Sequence, residues 1–290
     1  MKPNRTAGTS LMTMRVTFDT NVWNRMVLPE KWANSPNHDS LVRIKDAIRN
    51  GKIAGFISEG FATVESIGKR NRARYHVQSV PAVEVTPTVH SGGSVSMSIN
   101  IKPKHNQHPG IGEDFEEELT AALAIGIKLL TTPYIGLAVP DRLRNNRDIY
   151  AEEVFASVDY NERFGNAVRA INDRGIGEGA LAVLAKEFTE QLDAPRPTEW
   201  SDRDLIYRVY EYACLSGRNK EKRQVEKTFA ESADGDLVAA HIAISNDYLC
   251  TEDRAGSAVS RSVFDSENRA WLKAKYGTEI VDARQLANLL

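Results

Sequence analysis

The sequence predicts an α/β fold with a parallel central sheet and helices on both of its faces. Three observations carry this. Short β-rich runs alternate with helix-patterned stretches near the start of the chain, at 15–18 and 53–57, and again near its end, at 248–251 and 279–281. Parallel neighbours need a crossover, so strands separated by helices imply βαβ units. The composition, 41% hydrophobic and 26% charged, belongs to a globular chain able to bury a core.

Residues 1–13 read as a polar, disordered lead without the apolar stretch of a signal peptide, and Met12 or Met14 serves as an alternative start. Arg15–Phe18 is the first strand and ends at Asp19. An irregular stretch holding Pro29, Pro36 and Asn37 follows. Asp39–Asn50 is then a helix, with Leu41, Ile44, Ala47 and Ile48 at helical spacing and Asn50–Gly51 as its stop. Ile53–Ile57 is the second strand. Ser58 or Glu59 opens a helix with Phe61, Val64 and Ile67 on one face.

After Gly68 the pattern changes. Val83–Thr88 and Val95–Ile101 alternate apolar and polar residues around Ser91–Gly92–Gly93–Ser94, the mark of a two-stranded ribbon. A helix is expected from Glu113 to Leu130, and further helices at 150–172, 179–192 and 202–215. Residues 193–198 form a Pro-rich junction. Leu237–Ile244 is an apolar helix, Tyr248–Thr251 a strand, Asp265–Tyr276 a helix stopped by Gly277, Glu279–Val281 a last strand and Arg284–Leu290 a closing helix.

The formal net charge is −2, so any nucleic-acid contact must come from local patches. Candidates are residues 69–74, the trio Arg142, Arg144 and Arg147, and residues 218–223. Runs of this kind are ordinarily solvated faces. Two cysteines, Cys214 and Cys250, make neither a metal motif nor a disulfide framework, which fits a reducing cytoplasm. No apolar run approaches the ~20 residues of a membrane span, so no membrane role is expected.

Four acids carry the chemical argument. Asp19 and Asp253 follow strands, where open parallel sheets gather their ligands. Glu65 lies on the helix after the second strand, and Asp236 heads the apolar run Leu237–Ile244. Each also has an ordinary reading. Asp19 and Asp253 suit turns, Glu65 pairs with Lys69 four residues on, and Asp236 suits a helix N-cap. Asp234 competes with Asp236 for either role. Together, clustered carboxylates repel one another unless a hard cation lies among them.

Phe18–Asp19–Thr20–Asn21–Val22 resembles the opening strand motif of PIN-domain nucleases. Ile57–Ser58–Glu59 leading to Val64–Glu65 resembles their second strand and acid-bearing helix. Asp236–Ala243 resembles their Asp-headed helix, and Leu249–Cys250–Thr251–Glu252–Asp253 their Thr-x-Asp strand end. The resemblance implies a PIN-like three-layer fold in residues 14–75 and 200–290. It leaves 76–199 as a mostly helical insertion carrying the ribbon, from which Val83–Thr86 or Tyr134–Val139 would supply a missing sheet strand.

The resemblance further implies that Asp19, Glu65, Asp236 and Asp253 bind Mg²⁺ or Mn²⁺, with Asn21 and Thr251 orienting the carboxylates. The implied reaction is endonucleolytic hydrolysis of a phosphodiester, in RNA rather than DNA, leaving a 5′-phosphate and a 3′-hydroxyl. A homodimer is admitted, and an antitoxin partner ranks below a free-standing enzyme.

Two other readings stand beside it. One is a PIN-like binding module without activity, for nucleic acid or protein. The other is an aspartyl-nucleophile phosphatase, which wants a second Asp where this chain has Asn21. Further signals are weaker. His105 and His108 lack partner ligands nearby, His241 suits a core position, and Gly175–Gly179 suits a plain loop. The residues Tyr207, Tyr210 and Tyr212 suit packing roles.

Overall fold

The computed structural model describes residues 13–63, 66–67, 82–89, 95–102, 111–132, 140–156, 158–192, 195–198, 200–254 and 262–290. Seven strands lie among them: β1 Met14–Phe18, β2 Ile53–Ser58, β3 Ala82–Val89, β4 Val95–Lys102, β5 Lys128–Leu130, β6 Tyr248–Cys250 and β7 Glu279–Val281. The helices are α1 Thr20–Val27, α2 His38–Arg49, α3 Gly60–Thr63, α4 Glu113–Ala124, α5 Asp141–Arg144 and α6 Glu153–Ala156. After them come α7 Val158–Asp173, α8 Gly179–Glu190, α9 Asp202–Ser216, α10 Asn219–Ile244, α11 Ser266–Tyr276 and α12 Ala283–Asn288.

Five strands form one sheet in the order β5-β2-β1-β6-β7, and every pairing in it is parallel. From β1 the chain first builds outward through β2 and β5, then returns to add β6 and β7 on the other side. The strand order therefore reverses between β1 and β6, which makes their carboxyl ends the topological switch point.

Side chains alternate across β1. Phe18 lies on the α2 side, where a Cβ on Gly55 would meet Phe18 at 3.3 Å and Ile48 of α2 at 3.4 Å. Thr17 lies on the α10 side, its hydroxyl 3.0 Å from His241 Nδ1 and accepting from the Asn246 side-chain amide at 2.8 Å. The result is three layers, helix on sheet on helix, around one buried apolar core. Burial pushes His241 down to about 3, so it is a neutral core residue at physiological pH.

Several elements differ from expectation. The helix expected over 113–130 ends at Ala124, and Lys128–Leu130 is the strand that completes the sheet beside β2. Gly126, at φ +94, turns the chain between them, a conformation open to glycine and closed to most other residues. Val83–Thr86, one of the two expected sources, does not fill that place. Val83–Thr86 lies in β3, which pairs only with β4 in a separate antiparallel ribbon, and Tyr134–Val139 lies outside the described residues.

The stretch after Asp19 is a helix, α1, which buries Val22, Trp23, Met26 and Val27. The Leu237–Ile244 helix is the end of a much longer one, since α10 runs 26 residues from Asn219. Its first half joins α8 and α9 in a second apolar cluster that includes Leu184, Phe188, Leu205, Ile206, Val225 and Phe229. The helical part of the molecule thus continues past residue 200 into α10. Gly235 sits inside α10 where it meets the loop before α8: a Cβ there would lie 2.7 Å from Gly177 Cα.

Candidate functional site

Asp19 is the residue on which the switch point closes. Its backbone N–H donates to Cys250 O at 2.9 Å, stitching the end of β1 to the end of β6. Its Oδ1 accepts from Thr20 N at 2.6 Å at the head of α1. Its Oδ2 accepts from the Thr251 hydroxyl at 2.6 Å and from the Asn21 side-chain amide at 2.7 Å. Asn21 in turn accepts from Glu252 N at 3.0 Å, and Asp253 N donates to Thr251 Oγ1 at 3.0 Å. Asn21 and Thr251 thus clamp one carboxylate oxygen while tying together the two loops that leave β1 and β6.

Asp19 is only 4% exposed. Burial pushes its carboxyl up to about 6, and the nearby Asp253 adds to the rise, while the hydrogen bonds from Thr251, Thr20 and Asn21 pull the other way. The three hydrogen bonds use three of the roughly four lone-pair positions of the carboxylate. Room for another partner remains on Oδ1.

A small cleft opens beside Asp19. Phe18, Asp19, Thr20 and Trp23 line it from β1 and α1, Ser58 from the end of β2, Gly60 and Phe61 from α3, and Ala233, Asp234 and Leu237 from α10. Trp23 packs edge-on against Phe61 at 5.5 Å and against Phe115 at 5.6 Å, giving the cleft a rigid aromatic wall. On the other side of Thr251, a second cleft is lined by Thr251, Arg254, Phe264, Ser266, Arg269, Asp282 and Gln285. Arg269 donates to the backbone carbonyls of Phe264 and Asp253, and Arg254 pairs with Asp282 at 3.0 Å.

The four expected acids fare differently. Asp19 and Asp253 stand together at the carboxyl ends of neighbouring strands and act on each other electrostatically. Asp236, expected to head an apolar helix, lies well inside α10 and not at its head. It is Asp234 that reaches the cleft. Two residues apart on a helix is about 200°, so Asp234 and Asp236 leave α10 on opposite sides. Glu65 lies outside the described residues, as do Lys69, residues 69–74, His105 and His108.

Two further acids lie nearby. Glu59, directly after β2, accepts from Thr132 N at 2.8 Å and the Tyr150 hydroxyl at 2.9 Å, which ties β2 to the chain beyond β5. Glu231 is buried one turn before Asp234, accepts from Val263 N at 3.2 Å and is pushed up by burial. Neither stood out in the sequence, because Glu59 precedes a helix start and Glu231 sits in a charged run. Among the described residues, no three His, Cys, Asp or Glu side chains gather closely enough to form a metal-holding group.

No helix among the described residues is long and apolar enough to cross a membrane. Comparisons with protein-family models, with curated proteins and with solved structures found no match.

Proposed function

We propose that this chain is a metal-dependent endonuclease hydrolysing phosphodiester bonds in RNA, with its centre at Asp19 and Asp253. One observation carries the reading. These two carboxylates follow the two strands between which the sheet reverses its order, and ligands of open parallel sheets bind there. The resemblance of the surrounding motifs to PIN-domain nucleases supplies the reaction.

The donor set suits a hard divalent cation. Asp19, Asp253 and Asp234 offer oxygen only, and Mg²⁺ or Mn²⁺ takes one or two carboxylates and fills its remaining positions with water. A buried carboxyl held near 6 is one that a cation would favour in its charged form. Asp19 and Asp253 would hold the ion, with water in most of its positions, and Asp234 and Glu65 are the further carboxylates that would approach it once it is bound. Such an ion supplies charge neutralisation at the phosphoryl group and water of lowered pKa.

The chain's own part is positioning. Asn21 and Thr251 hold Asp19 in one orientation, as metal-binding carboxylates require. The wall of Trp23 and Phe61 limits water beside it. Arg254 and Arg269, which line the adjoining cleft, would meet phosphate oxygens there. Asn21 stands where an aspartyl-nucleophile phosphatase would want a second carboxylate, and its amide serves as a clamp instead.

The test is cleavage of a 5′-labelled RNA in Mn²⁺ by wild type and by Asp19→Asn. Cleavage by wild type and its loss in the variant are expected. Equal activity in the two would remove Asp19 from the mechanism, and no cleavage by wild type would overturn the reading.

A further inference from the structure

We infer that the groove between α8 and α10 is a track for single-stranded nucleic acid, leading along α10 to the acidic cleft. The end point of this track rests on the nuclease reading; the binding does not.

The groove has a volume of about 490 Å³. Ala180 and Leu184 of α8 form an apolar floor, and Lys220, Arg223 and Lys227 of α10 stand along one edge. All three cations are exposed, and none forms an ion pair among the described residues. The neighbouring acids Glu221 and Glu226 are taken by Arg218 and Lys222 instead. Glu187 lies in the groove as well, and Glu231 closes its inner end, buried and near enough to Lys227 to feel its charge.

The register of α10 gives this edge a direction. Lys220, Arg223, Lys227, Glu231 and Asp234 recur at three- and four-residue intervals, so they share one face of the helix. At about 1.5 Å per residue, Lys227 lies roughly 10 Å along the axis from Asp234, and Lys220 roughly 21 Å. A row of unpaired cations ending at the acid that lines the cleft is what a polyanion needs if one of its linkages is to reach Asp19. The apolar floor adds a surface for bases, which phosphate recognition alone does not require. In a duplex the bases are paired and stacked away from such a floor, so the groove is assigned to a single strand.

The probe is a 5′-fluorescein-labelled 20-nucleotide polyuridine RNA, its binding followed by anisotropy in EDTA so that hydrolysis plays no part. Wild type is expected to bind with a salt dependence of about two in log–log slope, as three phosphate contacts imply. The variant K220E/R223E/K227E is expected to lose at least about tenfold in affinity and most of that slope. A matched triple reversal on α2 and the turn after it, R43E/R49E/K52E, should bind as wild type does, and circular dichroism establishes that both variants are folded.

Unchanged binding by the α10 variant would overturn the track. So would equal affinity of wild type for a duplex, or for a polyglutamate peptide of similar length. Loss of binding in the α10 variant, with no RNA cleavage by wild type in Mn²⁺, would keep the track and remove the nuclease. Cleavage by wild type with unchanged binding by the variant would do the reverse.

Discussion

The Thr251 hydroxyl donates to Asp19 Oδ2 across 2.6 Å, joining two residues that are 232 positions apart. The same oxygen of Thr251 accepts from Asp253 N, so one side chain sets the position of both carboxylate-bearing loops. Thr251→Val keeps the shape and removes both bonds, together with the one its hydroxyl accepts from the Asn21 amide at 3.3 Å. Because the lost bond favoured the charged form of Asp19, its carboxyl should titrate above 6. Stability should fall by about 1–3 kcal/mol, with Mn²⁺ affinity about tenfold weaker. Carbon-13 NMR of the Asp19 carboxyl reads the titration, urea unfolding the stability and calorimetry the Mn²⁺ affinity; a titration unmoved by the substitution would remove Thr251 from the site.

The pH dependence of stability follows from the same carboxyl. Asp19 titrates near 3.8 when unfolded and near 6 when folded, so the folded state holds its proton more tightly. Below about pH 4 both states are protonated and nothing is lost. As pH rises through 6, the folded state must ionise a buried group, at a cost of about 3 kcal/mol for a shift of this size. Asp19→Asn should therefore be more stable than wild type by about 1–2 kcal/mol at pH 7, less than the full cost because its amide faces the donors Asn21 and Thr251. Below pH 4, where the protonated wild type bears no such cost, the amide mismatch remains and the variant should be the less stable by about 1–2 kcal/mol. Urea midpoints at pH 3.5 and pH 7 measure it, and a difference independent of pH would contradict the assignment.

A divalent cation competes with that proton. Mn²⁺ should raise the melting temperature of wild type more at pH 7 than at pH 5, and should leave Asp19→Asn unmoved. Equal shifts in wild type and variant would place the ion elsewhere.

Asp234 and Asp236 can be separated by substitution. Asp234 lines the cleft and Asp236 leaves the opposite side of α10, so Asp234→Asn should lose at least about a hundredfold in Mn²⁺-dependent cleavage, the scale of a lost catalytic ligand or base. Asp236→Asn should lose less. Single-turnover rates decide, and the reverse ranking would return Asp236 to the site.

Gly235→Ala tests the approach of α10 to the loop before α8. Alanine favours a helix over glycine by about 1 kcal/mol, but its Cβ would come within 2.7 Å of Gly177 Cα. Overpacking of this kind costs about 1–3 kcal/mol, so the net change should be destabilising. An alanine variant as stable as wild type in urea would mean that the two backbones part freely.

Much of the sheet was legible in the sequence, and so was the environment of Asp19. Strands β1, β2, β6 and β7 announce themselves by β-branched and aromatic runs ending in polar turns. Asn21, three residues beyond the end of β1, and Thr251, one beyond the end of β6, are named as orienting groups by the resemblance, and both bond Asp19. Strand β5 was not legible, because Leu129 and Leu130 continue the apolar run of α4 and the only break is Gly126, whose left-handed turn the helical pattern hides. The start of α10 was not either. Its first half is charged on the outside, and Gly235 reads as a breaker unless its close approach to Gly177 is known. With that start misplaced, Asp236 took the heading position, and Asp234 was reached only as its rival. Helix α1 was missed because its Pro-rich sequel made the whole stretch look irregular.

A single unbroken helix, α10, contributes Val225 and Phe229 to one apolar cluster and Leu237 and Ala240 to the other. The helical part is therefore no detachable ornament. Cutting it out would saw through the beam on which the sheet also leans, and melting either half would fray the other. Heating should give one calorimetric peak where two separate bodies would give two.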